Sequence, residues 1–154
     1  MKLRSYQSSD CASLAELFYH TVHLVNAADY TSEQLDVWAS GTVDLEAWDA
    51  SFILHDTVIA QEQEKIIGFG DMADHGYLDR LYVHHQYQRR GVASAIVAYL
   101  EERAQQKGVM QFTTYASITA LPFFEKKGYR IFRENQVERN GIMLKNYLMK
   151  KSIR

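Results

Sequence analysis

The segment spanning residues 77–107 constrains the fold most strongly, because a strand, a polar loop and a helix follow one another directly in it. Residues 77–83 (YLDRLYV) alternate in polarity, which predicts a strand with Tyr77, Asp79, Leu81 and Val83 on one face. Residues 84–90 are polar, and a helix is predicted from Gly91 to about residue 107, where a second glycine ends it. The chain must therefore place a helix start directly beyond a strand end.

A helix start of this kind is suited to binding an anion. The first main-chain N–H groups of a helix have no partner within it, and the positive end of the helix dipole lies behind them. Gly91 has no Cβ and Ala93 has a small side chain, so a phosphate can approach closely, and Arg89 and Arg90 add positive charge. The alternative is a glycine that only begins a helix, with both arginines solvated.

The remaining pattern predicts one α+β domain over residues 1–154, with helices on both faces of a mixed, mostly antiparallel central sheet. Apolar residues recur at helical spacing after Cys11, and Thr31 with Gln34 forms a capping box for a second helix ending near Gly41. Asn140-Gly141 is typical of a type I′ hairpin turn. The other predicted strands are 3–6, 51–60, 65–72, 109–115 and the hairpin arms after 129, and the other predicted helix is 119–127.

Composition narrows the class of protein. The formal net charge of −2 gives no basic excess, so no nucleic-acid partner is expected. The single cysteine, Cys11, allows no disulfide within the chain and fits the cytoplasm. No metal-ligand spacing, signal peptide or apolar run long enough for a membrane helix is found, so neither a metal nor a membrane is expected.

Residues 81–83 and 87–95 resemble, almost one for one, the strand–loop–helix motif of the GNAT superfamily of acetyl-CoA-dependent N-acetyltransferases. Residues 116–129 (ASITALPFFEKKGY) resemble a later motif of that family, and share ASITA and PFFE with its small bacterial members of the YafP type. The similarity covers essentially the whole chain in the order of its elements. It implies a GNAT-like fold, acetyl-CoA as cofactor, and acetyl transfer to a primary amine.

The resemblance also assigns residues to the cofactor. Main-chain amides from Gln88 to Ala93 would hold the pyrophosphate, the backbone of Leu81 and Val83 would pair with the pantetheine arm, and a free amide there would polarise the thioester carbonyl. Ser117 stands where many members carry asparagine, although it could equally cap the following helix. The cofactor-binding residues predicted in this way are Leu81, Tyr82, Val83, Gln88, Arg89, Arg90, Gly91, Val92, Ala93, Ser94, Ser117 and Phe124.

The catalytic groups are less sharply defined. Many members have a tyrosine at the position of Phe124 that protonates the departing thiolate, and Phe124 has no proton to give, so it packs against cofactor or core. The thiolate could leave unassisted, given a thiol pKa of about 8.5. Asp79 is the candidate base, unless it only pairs with Arg80 or caps a turn, and Tyr77 and Tyr115 are alternative hydroxyl donors.

The acceptor is expected to be a small molecule or peptide that carries an amine. In the family its pocket lies between the first two helices and the C-terminal hairpin, which makes His20, Tyr30 and Trp38 candidate substrate residues, while His84 and His85 are expected to be solvated. The missing tyrosine leaves a non-catalytic CoA-binding sensor or regulator as the alternative function. The hairpin edge allows a homodimer.

Overall fold

The computed structural model describes residues 1–153, which form seven strands and five α-helices. In chain order the elements are β1 (Lys2–Ser5), α1 (Cys11–Leu24), α2 (Ser32–Trp38), α3 (Leu45–Leu54), β2 (Asp56–Glu62), β3 (Lys65–Ala73), β4 (Tyr77–Val83), α4 (Val92–Gln106), β5 (Gln111–Ser117), α5 (Leu121–Lys126), β6 (Arg130–Arg139) and β7 (Ile142–Ser152). None of the helices in residues 1–153 combines the length and the hydropathy that crossing a membrane requires.

All seven strands belong to one sheet, in the order β1-β2-β3-β4-β5-β7-β6. Neighbouring strands are antiparallel except β4 and β5, which are parallel. The mixed, mostly antiparallel sheet and the α+β class are thereby confirmed. The single parallel pair matters for function, because two parallel strands present their carboxyl ends on the same edge of the sheet.

Each face of the sheet carries its own core, as predicted. On one face α4 and α5 pack through residues such as Ile96, Leu100 and Phe124, and all three are at most 3% exposed. On the other face α1, α2 and α3 pack through residues such as Leu14 and Phe52. Both faces of the central strands are consequently buried, which explains the continuous apolar character of β2 and β3.

One element was predicted wrongly. Residues 51–60 were assigned to a strand, but the structure places 51–54 at the end of α3 and begins β2 at Asp56. The Asp44 carboxylate accepts a hydrogen bond from the amide of Ala47 at 3.1 Å and so caps α3. Trp48 and Phe52, one helical turn apart, then face the core, and this spacing outweighs the β-propensity of the run that follows.

The structure confirms the predicted capping box of α2 and the predicted turn at Asn140-Gly141. Thr31 and Gln34 form both hydrogen bonds of the capping box that begins α2, at 3.1 and 2.9 Å. Asn140 and Gly141 have φ of 50° and 80°, the positive values that a type I′ turn requires, and they join β6 to β7. These short motifs are set by local main-chain chemistry and do not depend on distant packing.

Candidate active site

A gap between β4 and β5 is the central feature of the site. The two strands pair only where Tyr77 and Leu78 lie beside Thr113 and Thr114. Beyond Leu78 they separate, while β5 stays paired with β7 along its whole length. One edge of β4 therefore has no neighbouring strand from residue 79 onward.

The main chain of β4 turns hydrogen-bonding groups toward this gap. The His84 amide donates to the Ile67 carbonyl at 2.8 Å, and main-chain groups alternate in direction along an antiparallel strand. Those of Leu81 and Val83 consequently point away from β3 and into the gap. The Val83 carbonyl already accepts from Thr21 Oγ1 at 3.0 Å and from Gln88 Nε2 at 2.8 Å, so its amide and both groups of Leu81 are left for a ligand.

The side chain of Tyr82 points away from the gap, toward the face of the sheet that α1 covers. Its ring packs against Phe18, with 4.9 Å between ring centroids, and against Phe69, with 5.8 Å. This predicted cofactor-binding residue thus belongs, by its side chain, to the core on the α1 face.

The loop after β4 ends in an exposed helix start. Arg89 and Gly91 both have positive φ, 61° and 81°, and Gly91 is the N-cap of α4 without any side-chain cap. The first turn of α4 therefore presents main-chain amides that have no partner within the helix. A Cβ built on Gly91 would meet no atom within 4 Å, so the space in front of these amides is open.

The side chains around this helix start divide between core and surface. Val92 is 3% exposed and offers only its amide, whereas Arg89 and Arg90 are exposed. The Arg90 guanidinium lies 5.0 Å from the centroid of the Tyr87 ring, which holds a positive charge beside the loop. Open space, unpaired amides and two arginines together suit a phosphorylated ligand.

A β-bulge changes the face to which Asp79 and Tyr77 belong. Asp71 pairs with Arg80 and Met72 with Leu78, so Asp79 is an extra residue without a partner in β3. The prediction that Tyr77, Asp79, Leu81 and Val83 share one face is therefore wrong. Leu78 lies with Val83 in the core on the α4 face, because the bulge shifts the alternation by one residue.

The bulge leaves Asp79 beside the point where β4 and β5 separate. Its side chain is 35% exposed, and partial burial raises its pKa, with the nearby Asp71 adding to the effect. Burial raises the pKa of Tyr77 to about 12, so its hydroxyl stays protonated at neutral pH. The Tyr77 and Tyr115 rings lie 6.2 Å apart, centroid to centroid, so the structure does bring the three candidate catalytic residues to one region.

An ion cluster behind Asp79 was missed by the sequence analysis. Asp71 is fully buried, and its two oxygens contact Arg80 Nε at 3.1 Å and Nη2 at 2.6 Å. Asp71 Oδ2 also lies 2.8 Å from His55 Nδ1, and Arg80 donates to Ser51 Oγ at 2.6 Å. The sequence does contain a signal for this cluster, which is Asp71 within the apolar run of β3. A carboxylate is seldom buried without a partner, so a buried positive partner could have been predicted for it.

Ser117 and Phe124 lie at the other side of the gap. The Ser117 hydroxyl accepts from the Ala120 amide at 3.0 Å and is 3.5 Å from Asn26 Nδ2, so it caps the turn before α5. Phe124 is 3% exposed and packs against Phe123 and Tyr129. Of the two alternatives given for Phe124, the structure shows the core.

The three candidate substrate residues have different surroundings. Tyr30 is 8% exposed, and its hydroxyl donates to the Lys145 carbonyl at 2.6 Å and accepts from the Ile118 amide at 2.9 Å. Trp38 is half-buried with its ring 5.1 Å from that of Tyr30, centroid to centroid. His20 is exposed on α1 and lines a separate groove with His84 and His85.

The two loop histidines are not freely solvated, contrary to the prediction. Both are half-buried and stacked, with 4.4 Å between ring centroids, and His84 Nδ1 accepts from the Gln86 amide at 3.0 Å. Burial lowers the pKa of His84, and Lys65 adds to this effect. Packing is the physical reason: the two rings cover each other, the His84 ring lies 5.4 Å from that of Tyr87, and both histidines line a groove with residues of α1.

Tyr30→Phe is expected to lower the free energy of unfolding by about 1–3 kcal/mol, because it leaves the Lys145 carbonyl and the Ile118 amide without their buried partner. Chemical denaturation of the purified protein measures this change. Tyr19→Phe is the control, since Tyr19 is a half-buried tyrosine of α1 that contributes ring packing against His23, with 4.3 Å between ring centroids. Equal free energies of unfolding for the two variants would show that the hydrogen bonds of Tyr30 do not stabilise the fold.

The gap between β4 and β5 and the open helix start at Gly91 would suit an extended phosphorylated ligand. Comparison with known proteins identifies the family. The model of the family "Acetyltransferase (GNAT) domain" matches residues 26–151. The chain therefore belongs to the GNAT acetyltransferases and is an N-acetyltransferase of this type.

Similar proteins carry the same designation. The chain is 31% identical to the N-acetyltransferase YafP of Escherichia coli (strain K12), itself described as uncharacterized, over 97% of this chain and 95% of YafP. A GCN5-related N-acetyltransferase from Rhodopseudomonas palustris is 35% identical, with a TM-score of 0.94 over 99% of this chain and 95% of that one. At 17% identity, yncA from Salmonella typhimurium, solved with its cofactor acetyl-CoA, shares the fold, with a TM-score of 0.76 over 100% of this chain and 94% of yncA.

Proposed function

We propose that this protein transfers the acetyl group of acetyl-CoA to a primary amine of a small molecule or peptide, by direct attack of the amine in a ternary complex. The observation that supports this most is the gap between β4 and β5, which ends at the open helix start of Gly91. The gap provides a strand edge for the pantetheine arm, and the helix start provides amides for a pyrophosphate. Acetyl-CoA carries both groups in this order.

The proposed cofactor contacts follow from this geometry. Amides from Gln88 to Ala93 would hold the pyrophosphate, with Arg89 and Arg90 as charged partners and Ser94 in the same helical turn. Leu81 and the amide of Val83 would pair with the pantetheine arm as an added strand. Ser117, across the gap, would reach the same arm with the hydroxyl that now caps the turn before α5.

When bound, acetyl-CoA supplies an activated thioester. A main-chain amide of β4 in the gap would stabilise the negative charge that develops on the thioester oxygen. Asp79 would take a proton from the acceptor amine, and its raised pKa brings the carboxylate closer to the working pH of a general base. Tyr77, which stays protonated, or Tyr115 would donate to the leaving sulfur in place of the hydroxyl that Phe124 lacks.

The acceptor would enter from the side of α1, α2 and the β6–β7 hairpin. The hydrogen bonds of Tyr30 join these parts, so Tyr30 would shape the pocket while Trp38 contacts the acceptor. His20 would contact the acceptor only from the neighbouring groove that it lines with His84 and His85. We place the protein in the cytoplasm, with no nucleic-acid or membrane partner and with a homodimer as the assembly to test.

Isothermal titration with acetyl-CoA tests the cofactor site, and saturable binding with a Kd in the micromolar to millimolar range is expected. Release of free thiol is then measured with a panel of alkylamines, arylamines and lysine-containing peptides. Acceptor-dependent release supports acetyl transfer. Binding without release for any acceptor would favour the CoA-binding sensor, and no binding at millimolar acetyl-CoA would exclude both.

A further inference from the structure

The ion cluster beneath Asp79 contains more ionisable groups than a structural ion pair needs. Asp71 and Arg80 form a complete two-pronged pair, with contacts of 3.1 and 2.6 Å. Arg80 also lies over the Phe52 ring at 4.2 Å, so packing fixes its guanidinium. His55 is nevertheless added at 2.8 Å from Asp71, and Asp79 at 3.7 Å from Arg80.

Counting charges shows what His55 contributes. Two carboxylates face one guanidinium, so the cluster carries one negative charge when His55 is neutral and none when His55 is protonated. Arg80 already supplies the positive charge that Asp71 requires. When His55 is protonated, it supplies the second positive charge and balances Asp79. When His55 is neutral, Asp79 keeps an unbalanced negative charge that a cationic ligand can pair with.

Distance allows a proton to pass between these groups. A ring nitrogen of His55, an oxygen of Asp71 and an oxygen of Asp79 all lie within 4.8 Å of one another. One water molecule bridges such a span with two hydrogen bonds of about 2.8 Å each. His55 Nδ1 is held by Asp71 at 2.8 Å, so a proton taken up at the second ring nitrogen leaves this hydrogen bond in place.

Charged and polar groups from the neighbouring elements surround His55. Asp71 faces it from β3, Asp79 and Arg80 face it from β4, and the His55 amide donates to the Ser51 carbonyl of α3 at 3.0 Å. The adjacent Asp56 is paired with Arg103 at 2.8 Å. The hydrogen bond with Asp71 raises the pKa of His55 above its ordinary value of 6.5, and Asp79 adds to the effect.

We propose that His55 is the second proton acceptor of the site, which receives through Asp79 the proton that the acceptor amine must lose. This inference rests on the proposed acetyl transfer. A cationic acceptor would bind at Asp79 as the second positive charge of the cluster, and its binding would favour neutral His55. His55 acts through Asp79 and is therefore a positioning residue for the reaction.

The proton balance is complete without any further reactant. An ammonium acceptor loses two protons from nitrogen during acetylation, as a C–N bond forms and the C–S bond breaks. One proton ends on the departing sulfur. The other forms an O–H bond at Asp79, then an N–H bond at His55, and is released to water after the product leaves.

His55→Asn tests the role in turnover, because the asparagine amide can still donate to Asp71 but cannot take up a proton. We expect kcat to fall about tenfold or more, a smaller loss than the roughly 10²–10⁴-fold of a direct general base because His55 acts through Asp79. The affinity for acetyl-CoA should be unchanged. The low-pH limb of the kcat/KM profile should move to lower pH, since neutral His55 is no longer required. The control is His75→Asn, at an exposed residue with φ of 69° that asparagine tolerates.

A second measurement does not depend on finding an acceptor. Histidine NMR titration of the full chain should show the His55 midpoint falling by about half a pH unit or more in Asp79→Asn, because a neighbouring negative charge is removed. An unchanged midpoint would overturn the proposal, as would a His55→Asn variant with wild-type kcat and pH profile. If the wild type released no free thiol with any acceptor, the proposed acetyl transfer would be overturned instead.

Discussion

Gly91→Asp is expected to weaken acetyl-CoA binding by two orders of magnitude or more while costing the folded protein only about 1–2 kcal/mol of stability. Aspartate tolerates positive φ better than most residues, and its charge is favourable near a helix N-terminus. A Cβ at this position meets no atom within 4 Å, so the only cost to the folded chain is the strain of a side chain at a φ of 81°. The carboxylate would, however, lie where the pyrophosphate is proposed to bind.

Repulsion between like charges sets the size of this effect. At about 4 Å and an effective dielectric constant of about 20, two unit charges repel by about 4 kcal/mol. Since about 1.4 kcal/mol corresponds to a tenfold change in Kd, a hundredfold loss is a conservative expectation. Isothermal titration measures the affinity, and thermal unfolding measures the stability of the same preparation.

Gly108→Asp is the matched control, because Gly108 follows the opposite end of α4 with φ of 90° and equally open surroundings. The same charge there lies at the negative end of the helix dipole, so this variant should lose some stability and keep its affinity for acetyl-CoA. Equal loss of affinity in both variants would show that the helix start does not hold the cofactor.

Asp79→Asn is expected to lower kcat by about 10²–10⁴-fold, the usual contribution of a general base, with acetyl-CoA affinity unchanged. Asparagine keeps the shape of the side chain but cannot take up a proton from the amine. Thiol release is measured at saturating acetyl-CoA with the acceptor that gives the highest rate in the amine screen.

Asp74→Asn serves as the control for that measurement, since Asp74 is exposed in the turn Asp74–Gly76 that precedes β4. It removes the same charge a few residues from the bulge and should leave kcat unchanged. If Asp79→Asn also retained wild-type kcat, Asp79 would only be a partner of Arg80, the alternative left open by the sequence.

Most of the fold could be predicted because its signals are local. The capping box of Thr31, the Asn140-Gly141 turn and Gly91 at the start of α4 each follow from the main-chain preferences of a few adjacent residues. The prediction was wrong at α3, where the end of the helix and the following strand are both rich in apolar residues and only three polar residues, 55–57, lie between them. Only the packing of Trp48 and Phe52 on the sheet separates the two elements.

The site was predictable in part for the same reason. The loop and helix start lie in one continuous segment, so their role could be inferred from spacing. The bulge at Asp79 could not, because it depends on how β4 aligns with β3 and shifts the alternation on which the face of Tyr77 was based. Similarly, the sequence predicts Tyr30 as a substrate residue but not that its hydroxyl joins β7 to the end of β5, because those partners are distant in sequence.

From the residues alone we could predict a strand, a loop and a helix start with open amides at Gly91, and two motifs indicated a GNAT acetyltransferase. Three other features emerge only in the folded chain: β4 and β5 separate after Leu78, Val83 keeps one free main-chain group, and His55 and Asp71 lie behind Asp79. Helix caps and turns depend on neighbours along the chain. A gap between strands and a buried ion cluster depend on residues that are distant in sequence and meet only when the sheet has formed.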